Sequence, residues 1–509
     1  MAQEIELKLA FPPAALAQVL AHPLLTSAIR KGATKLLINT YFDTPDLALS
    51  AQRIAVRTRK AGDVWLQTVK CAANSFGGLS SRPEWEQAYS GRFDFSAIDS
   101  AAVRDELERH HAALVPLFTT NFERDTLALS PREGAHILVM IDRGEVSANG
   151  HAEAINELEL ELVSGCADDL LELASTLATD LPLLPYDPSK AARGYRLFRG
   201  EHVAPEHLAL PPAEPAKLAL ENFRTAALAA LAAWAANHHG ALANDDAEFI
   251  HQLRVALTRL RGLLKIFAPA LPEAFVTEWN TVLKTQAASL GELRELQVLC
   301  GDIIAPVREE DSDARLTPLI DHAETQCASA LNQVRAQLAA PGAGSPLLAL
   351  SQALLALAPE STALPQETIT NHALKRLRHK ADRCLRQAIA ERSNKSLHAL
   401  RISIKHLKLA CELSAGTHGK TSLRNARRLA RLQTRLGELH DLAQAMPRLG
   451  DWARAEPALE APIAFVAGWH TATSLKPRRS ILRRASRALA NERWRNFSLA
   501  CKKKSGQKH

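Results

Sequence analysis

Aromatic residues are scarce in this chain. Phe, Trp and Tyr together make up 5% of its 509 residues. Single-stranded nucleic acid is gripped largely by stacking bases on aromatic rings, so this poverty argues against such a partner. Cysteine is sparse as well. The seven cysteines (Cys71, Cys166, Cys300, Cys327, Cys384, Cys411, Cys501) are scattered, with no C-x-x-C pair. That pattern excludes a disulfide framework and a zinc site, and fits reduced thiols in a cytoplasm. Long apolar runs are missing too. No stretch of about eighteen uncharged apolar residues occurs, so neither a membrane span nor a membrane partner is expected. The first residues are acidic, where a signal peptide needs a basic stretch and then an apolar one.

Charge is present in abundance and is unevenly shared. The net charge of +7 hides a split. Residues 371–509 hold 31 Lys and Arg against 9 Asp and Glu, a balance of +22. The rest of the chain holds 31 against 46, a balance of −15. A segment that basic repels itself unless it meets an anion. Nucleic acid, an acidic membrane surface and polyphosphate are the anion classes that could neutralise it, of which the membrane is not taken as a partner.

The length calls for two or three domains. Residues 1–200 contain short alternating runs separated by turns. A linker is expected at 201–216, within "GEHVAPEHLALPPAEPAK", where four prolines interrupt any regular pattern. From 217 to 509 leucine and alanine recur at helical spacing. This half repeats itself. "FIHQLRVALTRLRGLLKIF" resembles "SLHALRISIKHLKLACEL", and "SLGELRELQVL" resembles "RLGELHDLAQA". Matching segments in matching order predict two copies of one helical unit, about 217–340 and 366–500.

The N-terminal region carries a second pattern. "EIELKL" places Glu4, Glu6 and Lys8 on one face of a strand, and Ile5, Leu7 and Leu9 on the other. "RIAVRTRK" sets Arg57 and Arg59 two apart. Lys70, Glu84 with Glu86, Arg124 and Asp142 sit on or at the ends of further strands, and "INELELELV" puts Glu157, Glu159 and Glu161 on one face. Glu84 and Glu86 fit either a lining role or a cross-strand salt bridge. Asp142 fits metal support or a turn. If the strands close into a barrel, these charges point inward and the apolar faces meet covering helices. Several carboxylates confined together need cations, and oxygen-only ligands favour Mg²⁺ or Mn²⁺. The bases would hold phosphate oxygens. Together these describe a site for a polyphosphate bound with metal.

This ordered set resembles the CYTH family, the triphosphate tunnel metalloenzymes, over about residues 1–200. "SKAARGY" is similar to the C-terminal helix of its bacterial inorganic triphosphatase branch. The resemblance implies a multidomain α+β chain that begins with an antiparallel eight-stranded β-tunnel and covering helices. It implies metal-dependent hydrolysis of inorganic triphosphate to diphosphate and phosphate. Lys8, Arg57, Arg59, Lys70 and Arg124 would hold phosphate, joined by Lys190 and Arg193 from the closing helix. Glu4 and Glu6 would bind Mg²⁺ or Mn²⁺ with two of the three late glutamates: Glu157 and Glu159 are taken, with Glu161 as the alternative. The other readings are an organic triphosphate enzyme, adenylate cyclase-like or thiamine triphosphatase-like, and a polyphosphate-binding protein without catalysis.

In the helical half each repeat carries His, then Arg one turn later on the same face: His251 and Arg254, His398 and Arg401. Arg261, Lys405, Lys408, Arg428 and Arg431 extend the basic pattern, and no third histidine or cysteine sits at zinc-ligand spacing. This half resembles the CHAD family. That implies an all-α domain of two four-helix bundles around a basic surface for inorganic polyphosphate. Thr258-Arg259 departs from the paired arginines common in that family, as do Glu295 and Gln297 from its acidic segment, so the patch is expected to lean toward the second repeat. A nucleic acid partner is disfavoured, with duplex backbone contact left open. The terminal "CKKKSGQKH" reads as a disordered basic tail.

Overall fold

The computed structural model describes residues 2–71, 75–310, 314–358, 364–490 and 494. Cys501 and the "CKKKSGQKH" tail lie outside the described residues, as does the end of the second helical repeat. The other six cysteines stand as free thiols. Among the described residues no helix is long and apolar enough to cross a membrane.

Contacts divide the chain into two compact units. The first comprises Met1–Glu206, Leu231–Asn244 and Gln337–Ala356, and the second comprises the rest. The first unit is built on strands β1 (Ala2–Ala10), β2 (Ile29–Arg30), β3 (Lys35–Asp43), β4 (Ile54–Ala61), β5 (Val64–Cys71), β6 (Ser75–Phe76), β7 (Leu79–Ala88), β8 (Val115–Arg132), β9 (Ala135–Ala148), β10 (His151–Ser164) and β11 (Leu184–Pro185). Eight of them close into an antiparallel barrel in the order β1-β10-β9-β8-β3-β4-β5-β7, with β7 pairing back onto β1. The short strands β2, β6 and β11 flank β8, β7 and β1. Closure removes the exposed sheet edges and separates an inner from an outer face.

The alternation read in the sequence decides which face is which. Leu7 and Leu9 of β1, Ile137, Val139 and Ile141 of β9, and Leu158 and Leu160 of β10 point outward. They bury against the helix Ala167–Asp180 through Leu170, Leu173 and Leu177. The opposite faces point into the lumen. Pairing then sets which charges become neighbours. Glu6 lies across from Glu161, Lys8 from Glu159, Arg124 from Asp142, and Lys70 from Glu84. The helix Lys190–Phe198 packs on Phe118 and Phe122 through Tyr195. Gly194 permits that approach, since a Cβ there would overlap the Phe118 ring.

Residues 201–214 form neither helix nor strand. Beyond them the chain is helical. The first set of long helices is Ala219–Ala243, Ala247–Phe267, Glu273–Ser289 and Thr317–Leu338. The second is Gln366–Glu391, Asn394–Leu413, Ala415–Ala455 and Glu460–Leu489. Their order reproduces the sequence repeat. The helix Ala415–Ala455 is broken at Gly419, whose combination of φ 56° and ψ −142° only glycine adopts without strain.

Candidate functional site

The barrel lumen forms a cavity of about 630 Å³. Glu4, Glu6 and Lys8 of β1, Arg57 and Arg59 of β4, Lys70 of β5, Arg82, Glu84 and Glu86 of β7, Arg124 of β8, and Glu159 and Glu161 of β10 all line it. Lys190 enters from the closing helix. The sequence set is thereby gathered into one chamber, apart from Asp142, Glu157 and Arg193, all three buried outside the lining. Glu157 and Arg193 pair with each other at 2.5 Å.

The chamber has two differently balanced ends. Around Lys190 each carboxylate has a cation at ion-pair distance. Its Nζ donates to Glu157 at 2.7 Å and Glu159 at 2.8 Å and lies 2.8 Å from Asp142. Arg124 donates through two nitrogens to Asp142 at 2.7 and 2.6 Å, and to Glu159 at 2.6 Å. Burial opposes all these charges, yet each pair outweighs it. Lys190 and Arg124 are held above their ordinary pKa by Asp142 and the late glutamates. Burial pushes the Glu157 and Glu159 carboxyls upward, but Lys190 and the other nearby cations bring both below their ordinary range. Asp142, Glu157 and Glu159 are close enough to share one cation, and Lys190 already stands among them.

Toward β1 and β7 the balance is looser. Arg82 bridges Glu4 at 3.1 Å and Glu6 at 2.5 Å. Lys70 lies 3.0 Å from Glu4 and 2.7 Å from Glu84. Glu86 accepts from Thr68 at 2.9 Å and faces Arg59 at 3.7 Å. Glu84 and Glu86 therefore do both things the sequence allowed: they line the chamber and they pair with its bases. Glu161 differs, because no cation reaches ion-pair distance of it among the described residues. Burial, with Glu4, Glu6 and Glu84 nearby, raises its pKa. On the basic wall burial, Arg57 and Arg124 bring Arg59 down to about 10, and the buried Arg57 Nε has no hydrogen-bond partner.

The helical unit holds a second cavity, of about 880 Å³. His251, Arg254 and Arg259 line it from the helix Ala247–Phe267. His398, Arg401, Lys405, His406 and Lys408 line it from the helix Asn394–Leu413. Both repeats contribute. Their arginines meet the same feature: Arg254 donates to the Leu290 and Gly291 carbonyls at 3.3 and 3.4 Å, and Arg401 packs against Gly437. Burial first, and then crowding by like charge, lowers the pKa of His251, Arg254 and His398, brings Lys405 down to about 7, and brings His406 and His440 to about 4. Arg401 Nε is buried without a hydrogen-bond partner.

Comparison with known families matches a different model to each of the two parts of the chain. A CYTH domain model matches residues 2–195, and a CHAD domain model matches residues 225–450. The chain carries a CYTH domain followed by a CHAD domain. A protein of Haemophilus influenzae named inorganic triphosphatase is 32% identical over 197 residues. That match covers 39% of this chain and 55% of the relative, so the chain spans about half of the relative's length. The solved CHAD domain from the plant Ricinus communis aligns with a TM-score of 0.47 at 20% identity, over 57% of this chain and 98% of that one. A Hippeastrum protein described as revealing a dominant triphosphatase activity aligns with a TM-score of 0.29 at 18% identity, over 39% and 97%.

Several lining residues escaped the sequence reading. In the CYTH tunnel Arg82 had a signal, because it shares strand phase with Glu84 and Glu86. In the CHAD cavity Arg294 and His440 occupy matched places in "LGELRE" and "LGELHD", and Glu295 and Asp441 follow them. The repeat marked these positions before their role was assigned. Conversely, Arg261, Arg428 and Arg431 do not line that cavity. Arg261 donates instead to Asn280 at 3.2 Å.

Proposed function

We propose that the CYTH tunnel hydrolyses inorganic triphosphate to diphosphate and phosphate with Mg²⁺ or Mn²⁺, and that the CHAD cavity binds inorganic polyphosphate. One observation carries the first reading. Lys8, Arg57, Arg59, Lys70 and Arg124 share a closed lumen with the Glu4, Glu6 and Glu161 carboxylates. The metal donors are carboxylate oxygens alone, which suits a hard cation that keeps water or substrate oxygens as its other ligands. Glu4, Glu6 and Glu161 would hold it, with Glu159 beside them. Glu157, locked to Lys190 and Arg193, would fix the closing helix. When bound, the cation would offset phosphate charge and lower the pKa of a water.

The chain's own residues supply positioning and charge. Arg57 and Arg59 offer planar donors to phosphate oxygens, and Lys8, Lys70 and Arg124 add charge along the wall. A phosphate oxygen would relieve the crowding that lowers the Arg59 pKa. In the reaction a water oxygen bonds to the terminal phosphorus while the bridging P–O bond breaks and diphosphate leaves. Fixed cations that meet the departing charge carry most of the rate gain in such transfers. Lys190 and Arg193, saturated by carboxylates, orient the helix that closes the site.

For the CHAD domain the supporting observation is a cavity of crowded, under-neutralised cations. A polyanion without bases offers charge alone, so Lys, Arg and His suffice. In this reading the two helix sets form two four-helix bundles around that cavity.

Phosphate release from tripolyphosphate, ATP and thiamine triphosphate, with Mg²⁺ or Mn²⁺, tests the enzyme. Tripolyphosphate is expected to be cleaved fastest. Glu4→Gln and Glu161→Gln are each expected to lose about 100-fold or more in activity, the scale of disturbed metal sites. Full activity in Glu4→Gln would sink the metal assignment. Faster cleavage of ATP would move the reading to organic triphosphates. Binding without cleavage would leave a polyphosphate-binding protein.

A further inference from the structure

Lys8 is nearly inaccessible, at 4% exposure. Such an ammonium needs its donors satisfied and its direction fixed. A single short segment does both. From the end of β11 toward the closing helix run Pro185, Tyr186, Asp187 and Pro188. The Pro188 carbonyl accepts from Lys8 Nζ. The Tyr186 ring lies 5.4 Å from Lys8 Nζ, within cation–π range. The Tyr186 amide donates to the Lys8 carbonyl at 3.0 Å. Asp187 accepts from the Gly78 amide at 2.9 Å and from Ser75 at 2.5 Å, and the Gly78 carbonyl accepts from the Lys8 amide at 2.9 Å. Lys8 is thus stitched to this strap through its carbonyl and its side chain, while its amide bonds Gly78, which Asp187 of the strap holds in turn. The strap then ends in Ser189, which caps the helix that carries Lys190.

The strap itself is anchored by one side chain from far along the sequence. His239 Nε2 bonds the Pro185 carbonyl at 2.9 Å. Its ring also meets the Tyr186 ring edge-to-face, with centroids 4.8 Å apart. His239 belongs to the segment Leu231–Asn244 of the first compact unit, beyond the residues that match the CYTH model. A carbonyl only accepts, so Nε2 carries the proton. Burial brings the His239 pKa down to about 4, so the imidazole stays neutral and this bond persists across physiological pH.

We propose that His239 is a positioning residue for the tunnel, holding the Pro185–Pro188 strap that fixes Lys8 against the substrate. Among the described residues it is bonded to neither Lys8 nor the lumen lining, and it acts through Pro185 and Tyr186. The inference rests on the triphosphate reading only for its kinetic consequence; the strap and its anchor do not depend on the substrate.

The full-length protein tests this with two variants. His239→Phe keeps a ring against Tyr186 and removes the donor to Pro185. His239→Gln keeps an N–H donor at a similar reach. His239→Phe is expected to raise KM for tripolyphosphate about tenfold, with kcat falling less, the scale of a small misplacement of one binding group. His239→Gln is expected to return KM to within about threefold of the parent. In parallel, acetic anhydride labelling without substrate, read by mass spectrometry, reports on Lys8 directly. Lys8 labelling should rise in His239→Phe and not in His239→Gln, with Lys190 unchanged in both. Parental KM and Lys8 labelling in His239→Phe overturn the proposal. So does a His239→Gln variant as impaired as His239→Phe, because packing alone would then be at work. If the parent cleaves no triphosphate, the substrate reading fails and Lys8 labelling alone still decides the strap.

Discussion

Lys405 shows what happens to a cation surrounded by cations. Burial is the first cause of its low pKa, and Arg401 and Lys408 of its own helix, with Arg254 and Arg259 of the helix Ala247–Phe267, bring it down to about 7. The sign of the consequence follows. Between about pH 7 and the ordinary lysine value the unfolded chain holds a proton there that the folded chain lacks, so this residue makes stability rise with pH across that window. A bound polyanion works the opposite way. It favours the charged ammonium, so binding takes up a proton and weakens as pH rises past about 7. Titration calorimetry of the full chain with polyphosphate, in two buffers of different ionisation enthalpy near pH 7.5, is expected to show proton uptake. Lys405→Met should abolish most of that uptake and flatten the pH dependence of affinity. Uptake unchanged in Lys405→Met would remove Lys405 from the site.

At the scale of elements, the closing helix Lys190–Phe198 depends on a missing side chain. Gly194 faces Phe118, whose ring is buried and stacked on Tyr41 with centroids 4.6 Å apart. Alanine would improve helix propensity by about 1 kcal/mol. The overlap with a ring that cannot yield should cost about 1–3 kcal/mol and win. Gly194→Ala is therefore expected to lower the melting temperature and to weaken tripolyphosphate binding, because the helix carries Lys190 away from Asp142, Glu157 and Glu159. A thermal melt and a binding titration check this, and a variant with a parental melt would show that the helix–strand contact is looser than described. The helix itself was legible from "SKAARGY", but the need for glycine was not, since nothing local says that Phe118 lies opposite. The strands follow the same rule. Alternation in "EIELKL" and "NELELEL" reveals two-faced strands. Only the pairing of β1 with β10 sets Lys8 beside Glu159 and Glu6 beside Glu161. Local pattern gives the face, and long-range register gives the neighbours. For that reason the lining set could be read almost whole, while the division between Glu157, held behind the wall, and Glu161, open to the lumen, could not.

At the scale of the whole molecule, composition and packing divide the chain differently. The proline-rich stretch marks where regular structure stops. The first compact unit nevertheless includes Leu231–Asn244 and Gln337–Ala356. The second of these segments is part of its core: Leu348, at 0% exposure, belongs to the cluster of Leu7, Leu9 and Leu160. The Gly342 amide and the Ser345 hydroxyl both donate to the Ala178 carbonyl, at 2.9 and 3.2 Å. Gly344 approaches the Leu183 carbonyl so closely that a Cβ would not fit. A fragment ending at Gly200 would lose these partners and the His239 anchor together. Removing Leu348 alone by Leu348→Ala should cost about 2–5 kcal/mol, as for other buried leucines. Loss of the whole segment should cost more than that single substitution, a large share of a typical domain's stability. The fragment ending at Gly200 is therefore expected to melt well below one that runs to Ala356, and to bind tripolyphosphate more weakly. Differential scanning fluorimetry of the two fragments, with and without tripolyphosphate, measures both. Equal melting temperatures and equal ligand shifts would mean that the barrel is complete by Gly200, and that the later segments only rest on it.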